Sequence, residues 1–308
     1  MKAIFLNEKA GPEALVAGDL PQPRAGAGQV LVKVHATAVT PTEFDWFPTW
    51  NTPSGQARPF PIVLSHEFSG VIESLGPDVT GLKVGDAAYG LNDWFTNGAQ
   101  AEYCVAPVAA IAPAPKSIDH VKRAVVPISA LTSWQGLFDR IKLQHGERIL
   151  IHGGAGGVGI FAVQLARWRG AHVIATASNK NLSFVQSLGA DQVIDYHATR
   201  FEKVVRDIDC VFDAVGGDTL VRSWDLLAKN GRLVTVATGS EKTTDQRVRD
   251  AFMLVQANAS QLTEIATLID SQKLRVFVEA VFPLSKARDA YLRAKQGEMR
   301  GKIALTKL

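Results

Sequence analysis

Three glycines are the residues whose types and spacing point most directly to chemistry. Gly154, Gly156 and Gly159 fit the pattern G-x-G-x-x-G. In such a loop the first glycine permits a tight turn, the second lets the backbone approach a pyrophosphate, and the third lets a helix pack closely on a strand. The phosphates then lie at the positive end of the helix dipole. The motif therefore predicts a dinucleotide-binding loop. Its remaining members are Ala155, Gly157 and Val158.

The elements that must position this loop are visible on both sides of it. Residues 148–151 are apolar enough for a buried strand, and residues 157–169 have the pattern of a helix. A glycine-rich turn that only reverses the chain is the alternative interpretation. The predicted strand and helix, and the alternation of strands and helices that follows them, favour the nucleotide site.

Beyond the loop, strands and helices alternate. Strands are predicted at 149–152, 172–177, 192–195, 210–215 and 232–237, and helices begin near Gly157, Lys180, Arg200 and Asp218. Such alternation is typical of a parallel, doubly wound α/β sheet. The polar run 239–250 is predicted to be an exposed loop. Later elements are helices at 262–269 and 285–294 and a final strand at 302–305 that rejoins the first domain.

Residues before about Ile118 form a β-rich region of short strands, broken by glycine and proline. Strands at 30–36, 71–75 and 101–105, with recurring turn signals, favour a compact antiparallel barrel. The prolines of 112–115 predict a linker and domain boundary, followed by a helical region at 121–140.

Between residues 40 and 61 regular patterning disappears and large aromatic residues accumulate. Trp46, Phe47, Trp50 and Phe60 stand among prolines and polar residues. The segment is either a hydrophobic plug that packs on the barrel or an aromatic-lined substrate loop, and the sequence does not separate these.

Length and composition set the class of protein. The 308 residues suit two domains, and 46% hydrophobic with 20% charged residues is ordinary for a globular enzyme. A net charge of +3, spread along the chain, predicts neither a nucleic-acid partner nor an acidic one. Cys104 and Cys210 are too few for a disulfide framework and are expected to be small core residues. The apolar start is too short for a signal peptide and no run approaches a membrane span, so a cytoplasmic protein without membrane contact is expected.

Six short motifs follow one another along the chain, at 131–134, 154–159, 188–191, 193–196, 212–217 and 301–303. In this order they resemble the medium-chain dehydrogenase/reductases, most closely the zinc-independent quinone oxidoreductase and enone reductase branch. The resemblance covers nearly the whole chain. It implies a GroES-like catalytic domain at 1–118, completed by 270–308, and a Rossmann domain at 119–269, with the active site in the cleft. It also implies a homodimer, and it adds Thr132, Val215 and Gly216 to the nucleotide-binding residues.

The zinc ligands of the related alcohol dehydrogenases are mostly missing. Thr40 stands where those enzymes carry the first cysteine, and no cysteine lies between Cys104 and Cys210. His66 is the one ligand that remains, and a catalytic zinc normally needs three protein ligands. We therefore predict no metal, and a His66 that hydrogen-bonds locally.

Without a metal to stabilise an alkoxide, reduction of a conjugated system is easier than oxidation of an alcohol. Hydride adds to the β-carbon of an enone, charge develops on the carbonyl oxygen, and a proton follows. Three proton donors are possible: Thr42, Asp45, which lies where similar reductases carry tyrosine, and solvent. For Thr42, a simple turn hydroxyl is the favoured interpretation. Trp46, Trp50 and Trp94 either stack on a flat substrate or only pack.

Cofactor choice depends on the end of the second strand. NAD sites usually carry an acid about twenty residues beyond the loop, where this chain has Ser178, followed by Asn179 and Lys180. A hydroxyl and an ammonium favour the 2′-phosphate of NADPH, and the resemblance adds Tyr196. Lys180 as the start of a solvated helix is the alternative.

Two classes of function follow. The first is an NADPH-dependent reductase of a quinone, enone or alkenal. The second is a catalytically idle relative that binds NADPH as a structural or sensing ligand, because fold and cofactor alone do not establish activity.

Overall fold

The structure is a computed structural model that describes residues 1–307. In chain order, the strands of this range are β1 (Lys2–Leu6), β2 (Val16–Asp19), β3 (Gln29–Ala38), β4 (Ile62–Val63), β5 (Glu67–Leu75), β6 (Ala87–Leu91), β7 (Tyr103–Pro107), β8 (Ile111–Pro113), β9 (Arg148–His152), β10 (His172–Ala177), β11 (Gln192–Asp195), β12 (Ile208–Asp213), β13 (Leu227–Thr235), β14 (Val278–Pro283) and β15 (Lys302–Thr306).

The α-helices of the same range are α1 (Phe47–Trp50), α2 (His120–Ala124), α3 (Pro127–Trp134), α4 (Gly159–Arg169), α5 (Leu182–Ser187), α6 (Gly217–Ser223), α7 (Gln246–Ala251), α8 (Ala259–Asp270) and α9 (Ala287–Lys295). The segment Gln135–Arg140, directly after α3, is a π-helix.

The chain divides into two compact units. Of the described residues, the first comprises 1–128, 257–297 and 302–307, and the second comprises 129–256 and 298–301. The predicted division into 1–118 and 119–269 differs from this, because 119–128 and 257–269 pack with the first unit. Helix α2 contacts β3 and β5, and the Tyr89 hydroxyl donates a hydrogen bond to the Leu262 carbonyl at 2.6 Å.

The first unit is β-rich. It contains a three-stranded sheet in the order β2-β1-β4 and a larger sheet in the order β14-β15-β3-β5-β6-β8, with β7 also paired to β3. All strand pairs within residues 1–118 are antiparallel, as the sequence predicts, whereas β14 and β15, from the C-terminal part of this unit, pair in parallel. Val30, Val32 and Phe68 belong to its buried core. The predicted final strand is β15, which pairs with β3.

The second unit is a five-stranded parallel sheet in the order β11-β10-β9-β12-β13. The five predicted strands are all present, and α4, α5 and α6 follow β9, β10 and β12. Its core contains Leu150, Ile174 and Val211 from three neighbouring strands. The strand order reverses at β9, and in such sheets ligands bind outside the carboxyl ends of the strands at this point.

Four predicted segments need correction. The expected linker at 112–115 overlaps β8, an edge strand on which a proline costs no ladder hydrogen bond. The helical region 121–140 is divided, because Pro127 starts a new helix at its first position. Near Arg200 only the short 3-10 turn Phe201–Lys203 forms. The expected loop at 239–250 contains most of α7.

Candidate functional site

The phosphate loop, residues 153–159, is held by its own backbone. Gly153 has φ +77°, the Gly154 amide donates to the Thr176 carbonyl at 2.9 Å, and the Gly156 amide donates to the Gly153 carbonyl at 3.0 Å. A Cβ on Gly159 would lie 2.0 Å from the Gly153 carbonyl oxygen, so the loop closes only with glycine there. Helix α4 begins at Gly159 without a side-chain cap on its first turn.

Gly156 behaves differently from Gly159. A Cβ at Gly156 would meet only the Gly153 oxygen, at 3.4 Å, which is near ordinary contact. The protein itself therefore does not require glycine at this position. A cradle that a Cβ would fill, in front of an uncapped helix N-terminus, fits the approach of a pyrophosphate.

The ends of β10 and β11 bring three predicted residues to the same edge of the sheet. Ala177 is paired with Asp195, so Ser178 and Tyr196 follow neighbouring strand ends. The Ser178 hydroxyl oxygen accepts a hydrogen bond from the side-chain amide nitrogen of Asn181 at 3.3 Å. Tyr196 is half exposed. The Lys180 ammonium forms an ion pair with Glu298, a partner that sequence reasoning missed.

A buried carboxylate shapes the end of β12. Asp213 accepts hydrogen bonds from the amides of Val215 at 3.1 Å and Gly216 at 3.0 Å, and from the Thr235 hydroxyl at 2.7 Å. Gly216 has φ +78°, and Val215 is exposed at this edge. Asp213 thus positions both predicted residues. Sequence reasoning placed Asp213 in a motif but gave it no role.

Thr132 lies on α3 and is buried. The hydroxyl of its neighbour Ser133 is 2.9 Å from the Val158 carbonyl oxygen, which ties this helix to the phosphate loop. Every predicted nucleotide-binding residue therefore belongs to the phosphate loop, to a segment directly after β10, β11 or β12, or to the helix beside the loop.

His152, the last residue of β9, is a buried neutral histidine. Its Nε2 is 2.9 Å from the Ser223 hydroxyl, which itself donates to the Thr219 carbonyl, so Nε2 carries the proton. Nδ1 lies 3.2 Å from the Thr176 hydroxyl. Burial, helped by the charge of Arg222, lowers the pKa of His152 to about 3. The neutral ring anchors the strand from which the phosphate loop departs.

In the first unit, the two predicted proton donors lie in the 3-10 turn Pro41–Asp45. Thr42 and Asp45 are both exposed, and neither side chain has a hydrogen-bond partner among residues 1–307. Both are open to solvent rather than fixed by the protein.

His66 hydrogen-bonds locally, as predicted. Its Nδ1 is 2.6 Å from the buried Glu43 carboxylate, and its Nε2 is 3.0 Å from the Thr96 carbonyl oxygen. A carbonyl oxygen can only accept, so Nε2 carries a proton. The Glu43 carboxylate also accepts from the Ser65 amide at 2.9 Å.

The aromatic residues of this region contact one another. Trp94 lies 5.6 Å from the His66 ring and meets Trp46 edge-on at 5.4 Å. The Trp50 indole N–H donates to the Phe44 carbonyl at 2.7 Å. These contacts are packing contacts. They leave parts of Trp46 and Trp94 accessible to solvent.

A buried polar cluster is formed by Thr40, Glu67 and Lys302. The Lys302 ammonium forms an ion pair with the fully buried Glu67 and donates to the Thr40 hydroxyl at 2.9 Å. Glu67 also accepts from the Ile128 amide at 2.9 Å. Burial raises the pKa of the Glu67 carboxyl, and the ammonium opposes that rise. Thr40 stands where the zinc enzymes carry the first cysteine, and here its hydroxyl is hydrogen-bonded to the Lys302 ammonium.

Two further observations concern residues 1–307. No three of their histidine, cysteine, aspartate and glutamate side chains cluster in a way that could hold a metal ion. None of their helices has the length and apolar character needed to span a membrane.

Comparisons with known proteins agree with this architecture. Residues 26–116 match the alcohol dehydrogenase GroES-like domain, and residues 188–305 match the zinc-binding dehydrogenase family. The mouse mitochondrial NAD(P)H oxidoreductase RTN4IP1 is 31% identical over 90% of this chain and 81% of its own. The chain belongs to the medium-chain dehydrogenase/reductase superfamily.

Quinone oxidoreductases are among its relatives in this superfamily. The chloroplastic quinone-oxidoreductase QR1 of Triphysaria versicolor is 29% identical, over 99% of this chain and 98% of its own. The solved quinone oxidoreductase of Coxiella burnetii is 33% identical, with a TM-score of 0.91 over 99% of both chains. As a medium-chain dehydrogenase/reductase, the protein is an oxidoreductase of an NAD(P)H-dependent family, and its phosphate loop fits that cofactor.

Proposed function

We propose that this protein uses NADPH to reduce quinones or α,β-unsaturated carbonyls, and that it does so without zinc. The observation that carries the proposal is the hydrogen bonding of His66. Both of its ring nitrogens already have partners in Glu43 and Thr96. A zinc ligand needs a ring nitrogen with its lone pair directed at the metal. Thr40 adds no strong ligand, because its hydroxyl accepts from Lys302.

At the nucleotide site, different residues would bind different parts of the cofactor. The phosphate loop would hold the pyrophosphate through backbone N–H groups. Three residues would hold the 2′-phosphate, namely Ser178, Lys180 and Tyr196. Val215 and Gly216 would contact the nucleotide where it passes along the carboxyl ends of the strands. A reduced nicotinamide nucleotide bound there would supply a hydride.

A conjugated substrate suits a site without a Lewis acid. Charge develops on its carbonyl oxygen as the β-carbon is reduced, and hydrogen-bond donors are sufficient to stabilise that charge. The exposure of Thr42 and Asp45 supports proton delivery by solvent, with either side chain as an aid rather than an obligatory donor.

The reaction is tested by following the absorbance of NADPH as it is oxidised in the presence of a panel of quinones, enones, alkenals and simple carbonyls. We expect turnover with conjugated acceptors and little with alcohols in the reverse direction. The purified protein should contain no stoichiometric zinc and keep its activity in a strong chelator. About one zinc per chain, with activity lost on its removal, would refute the zinc-free mechanism. NADPH binding without turnover of any acceptor would favour the idle, sensing alternative.

Cofactor preference is tested by dissociation constants for NADPH and NADH. Replacing Lys180 by alanine should weaken the binding of NADPH by roughly ten- to a hundredfold, because a hydrogen bond to a charged group is worth about 1.5–3 kcal/mol. NADH should be nearly unaffected. Ser178→Asp should reverse the preference, because a carboxylate repels a 2′-phosphate. Equal wild-type affinities, or equal losses for both nucleotides in Lys180→Ala, contradict the assignment. The homodimer and the cytoplasmic location stay predictions.

A further inference from the structure

Residues 298–301, here called the strap, lie against the phosphate loop. They group with the second unit, although the residues on both sides of them in the chain group with the first. The Gly301 amide donates to the Ala155 carbonyl at 3.1 Å, and Gly301 forms a parallel bridge with Gly156. One end of the strap is therefore fixed at the expected pyrophosphate position.

The strap also reaches the turn after β10. The Arg300 guanidinium donates to the Asn181 side-chain oxygen at 2.8 Å and to the Lys180 carbonyl at 2.7 Å. The same guanidinium lies 5.1 Å from the centre of the Phe184 ring. The strap thus connects the phosphate loop with the residues expected to recognise the 2′ position of the ribose.

Glu298 occupies a special position at the start of the strap. Its carboxylate forms an ion pair with the Lys180 ammonium, and the two side chains are 61% and 52% exposed. Its φ is +56°, a left-handed conformation that residues other than glycine adopt rarely. The contacts of Arg300 and Gly301 hold the segment in which this conformation occurs. An acid is therefore present at the end of the second strand after all, supplied by a distant part of the chain.

We propose that Glu298 sets the preference between NADPH and NADH by competing with the 2′-phosphate for Lys180. This rests on the proposed role of Lys180 in the function above. An ammonium already paired with a carboxylate offers a phosphate less attraction than a free one does, and the carboxylate itself repels the phosphate. Because an exposed ion pair contributes little to stability, it yields to the phosphate at a small cost. NADH has no 2′-phosphate and does not draw on Lys180.

The test isolates the 2′-phosphate by using fragments of the nucleotide. Dissociation constants of adenosine 2′,5′-bisphosphate and 5′-AMP are measured by calorimetry at low salt for wild type and Glu298→Gln. Glutamine keeps the size of the side chain and the same backbone requirement. The bisphosphate should bind roughly two- to fivefold more tightly to Glu298→Gln, and 5′-AMP should bind unchanged. The gain should shrink as salt is added.

Asp207→Asn is the matched control. It also removes one exposed negative charge, in the same unit, but directly before the amino end of β12 and thus at the opposite edge of the sheet. Asp207 has a φ of +52°, a left-handed conformation that asparagine also adopts readily. The bisphosphate affinity of this variant should equal that of wild type. A gain like that of Glu298→Gln would mean that net charge alone is responsible, and would overturn the proposal.

The other outcomes separate this inference from the proposed function. Equal wild-type affinity for the two fragments would refute the NADPH preference itself. A wild-type preference for the bisphosphate with no change in Glu298→Gln would overturn only the role of Glu298. In the Lys180→Ala background the gain from Glu298→Gln should be smaller than in wild type. An equal gain in both backgrounds would show direct repulsion of the phosphate in place of competition for Lys180.

Discussion

The phosphate loop and the buried polar cluster deal with charge in opposite ways. The loop offers backbone N–H groups and a helix N-terminus, and no ionised side chain belongs to residues 153–159. The cluster buries a full carboxylate and a full ammonium, Glu67 and Lys302, which are 235 positions apart in the sequence. A backbone site keeps its polarity whatever the pH, whereas a buried ion pair depends on both partners. The phosphate loop should therefore tolerate changes of charge but not changes of shape. The buried polar cluster should tolerate small changes of shape but not the loss of a charge.

The largest effect is expected from breaking the cluster. Glu67→Gln keeps an acceptor for the Ile128 amide but leaves the buried Lys302 ammonium without its counter-ion, which typically costs about 3–5 kcal/mol. Urea unfolding of the variant measures this loss. The double variant Glu67→Gln/Lys302→Met should recover much of it, because no unpaired charge remains. A loss below about 1 kcal/mol in the single variant would show that the Lys302 ammonium does not depend on Glu67 as its counter-ion.

The loop is tested through its shape. Gly156→Ala should leave the free energy of unfolding within about 0.5 kcal/mol of wild type, because its Cβ has room. The same change should weaken nucleotide binding by roughly tenfold or more, because the methyl group occupies the expected pyrophosphate approach. Gly159→Ala is the companion variant. Its Cβ meets the Gly153 carbonyl, so it should lose about 1–3 kcal/mol of stability as well as nucleotide affinity. Identical behaviour of the two variants contradicts the separate roles assigned to these glycines.

A smaller effect concerns acid. His152 has its pKa lowered to about 3 by burial, so the unfolded chain takes up its proton first as the pH falls below the ordinary value of about 6.5. Its contribution to stability is complete above that value and declines as the pH falls toward the folded pKa. Between pH 7 and pH 5 this removes roughly 1–2 kcal/mol. In His152→Asn the decline measured by urea unfolding at the two pH values should be shallower by that amount. An unchanged slope would assign the acid sensitivity to other groups.

The smallest effect is expected at Thr42. Its hydroxyl is exposed and has no partner among the described residues, so Thr42→Val should slow turnover only a few-fold while solvent delivers the proton. Steady-state kcat with a quinone and with an enone measures this. A loss of about a hundredfold, with nucleotide affinity and fold intact, would make Thr42 the proton donor. Asp45→Asn provides the matching measurement for the second candidate.

Features that depend on neighbouring residues were predictable from the sequence. The glycine spacing, the strand before it and the helix after it lie within a short stretch of chain, and all appear in the structure. Helix α7 was not predicted, although its signal is equally local. Asp245 caps the start of this helix by accepting a hydrogen bond from the Arg247 backbone amide at 2.9 Å. The polar surface of the segment concealed the burial of Val248 and Ala251.

Features that depend on distant partners were not predictable. Glu298 meets Lys180 across 118 positions, and nothing in the composition of either segment indicates the pairing. The same holds for Thr40 and Lys302, which are 262 positions apart. The absence of an acid near Ser178 was a correct observation on the sequence, but tertiary folding brings a carboxylate to the same turn.

The pairing of β15 with β3 has a consequence for biosynthesis. Domains generally fold as units while the chain emerges from the ribosome. Here Glu67 and β3 precede the parallel sheet in the chain, but their partners, Lys302 and β15, follow it, and Lys302 lies 235 positions after Glu67. The first unit therefore pairs β3 with β15 and neutralises its buried carboxylate only after all strands of the parallel sheet have been made. The parallel sheet from β9 to β13 has all of its strands much sooner, so the second part of the chain can be the first to reach its native fold.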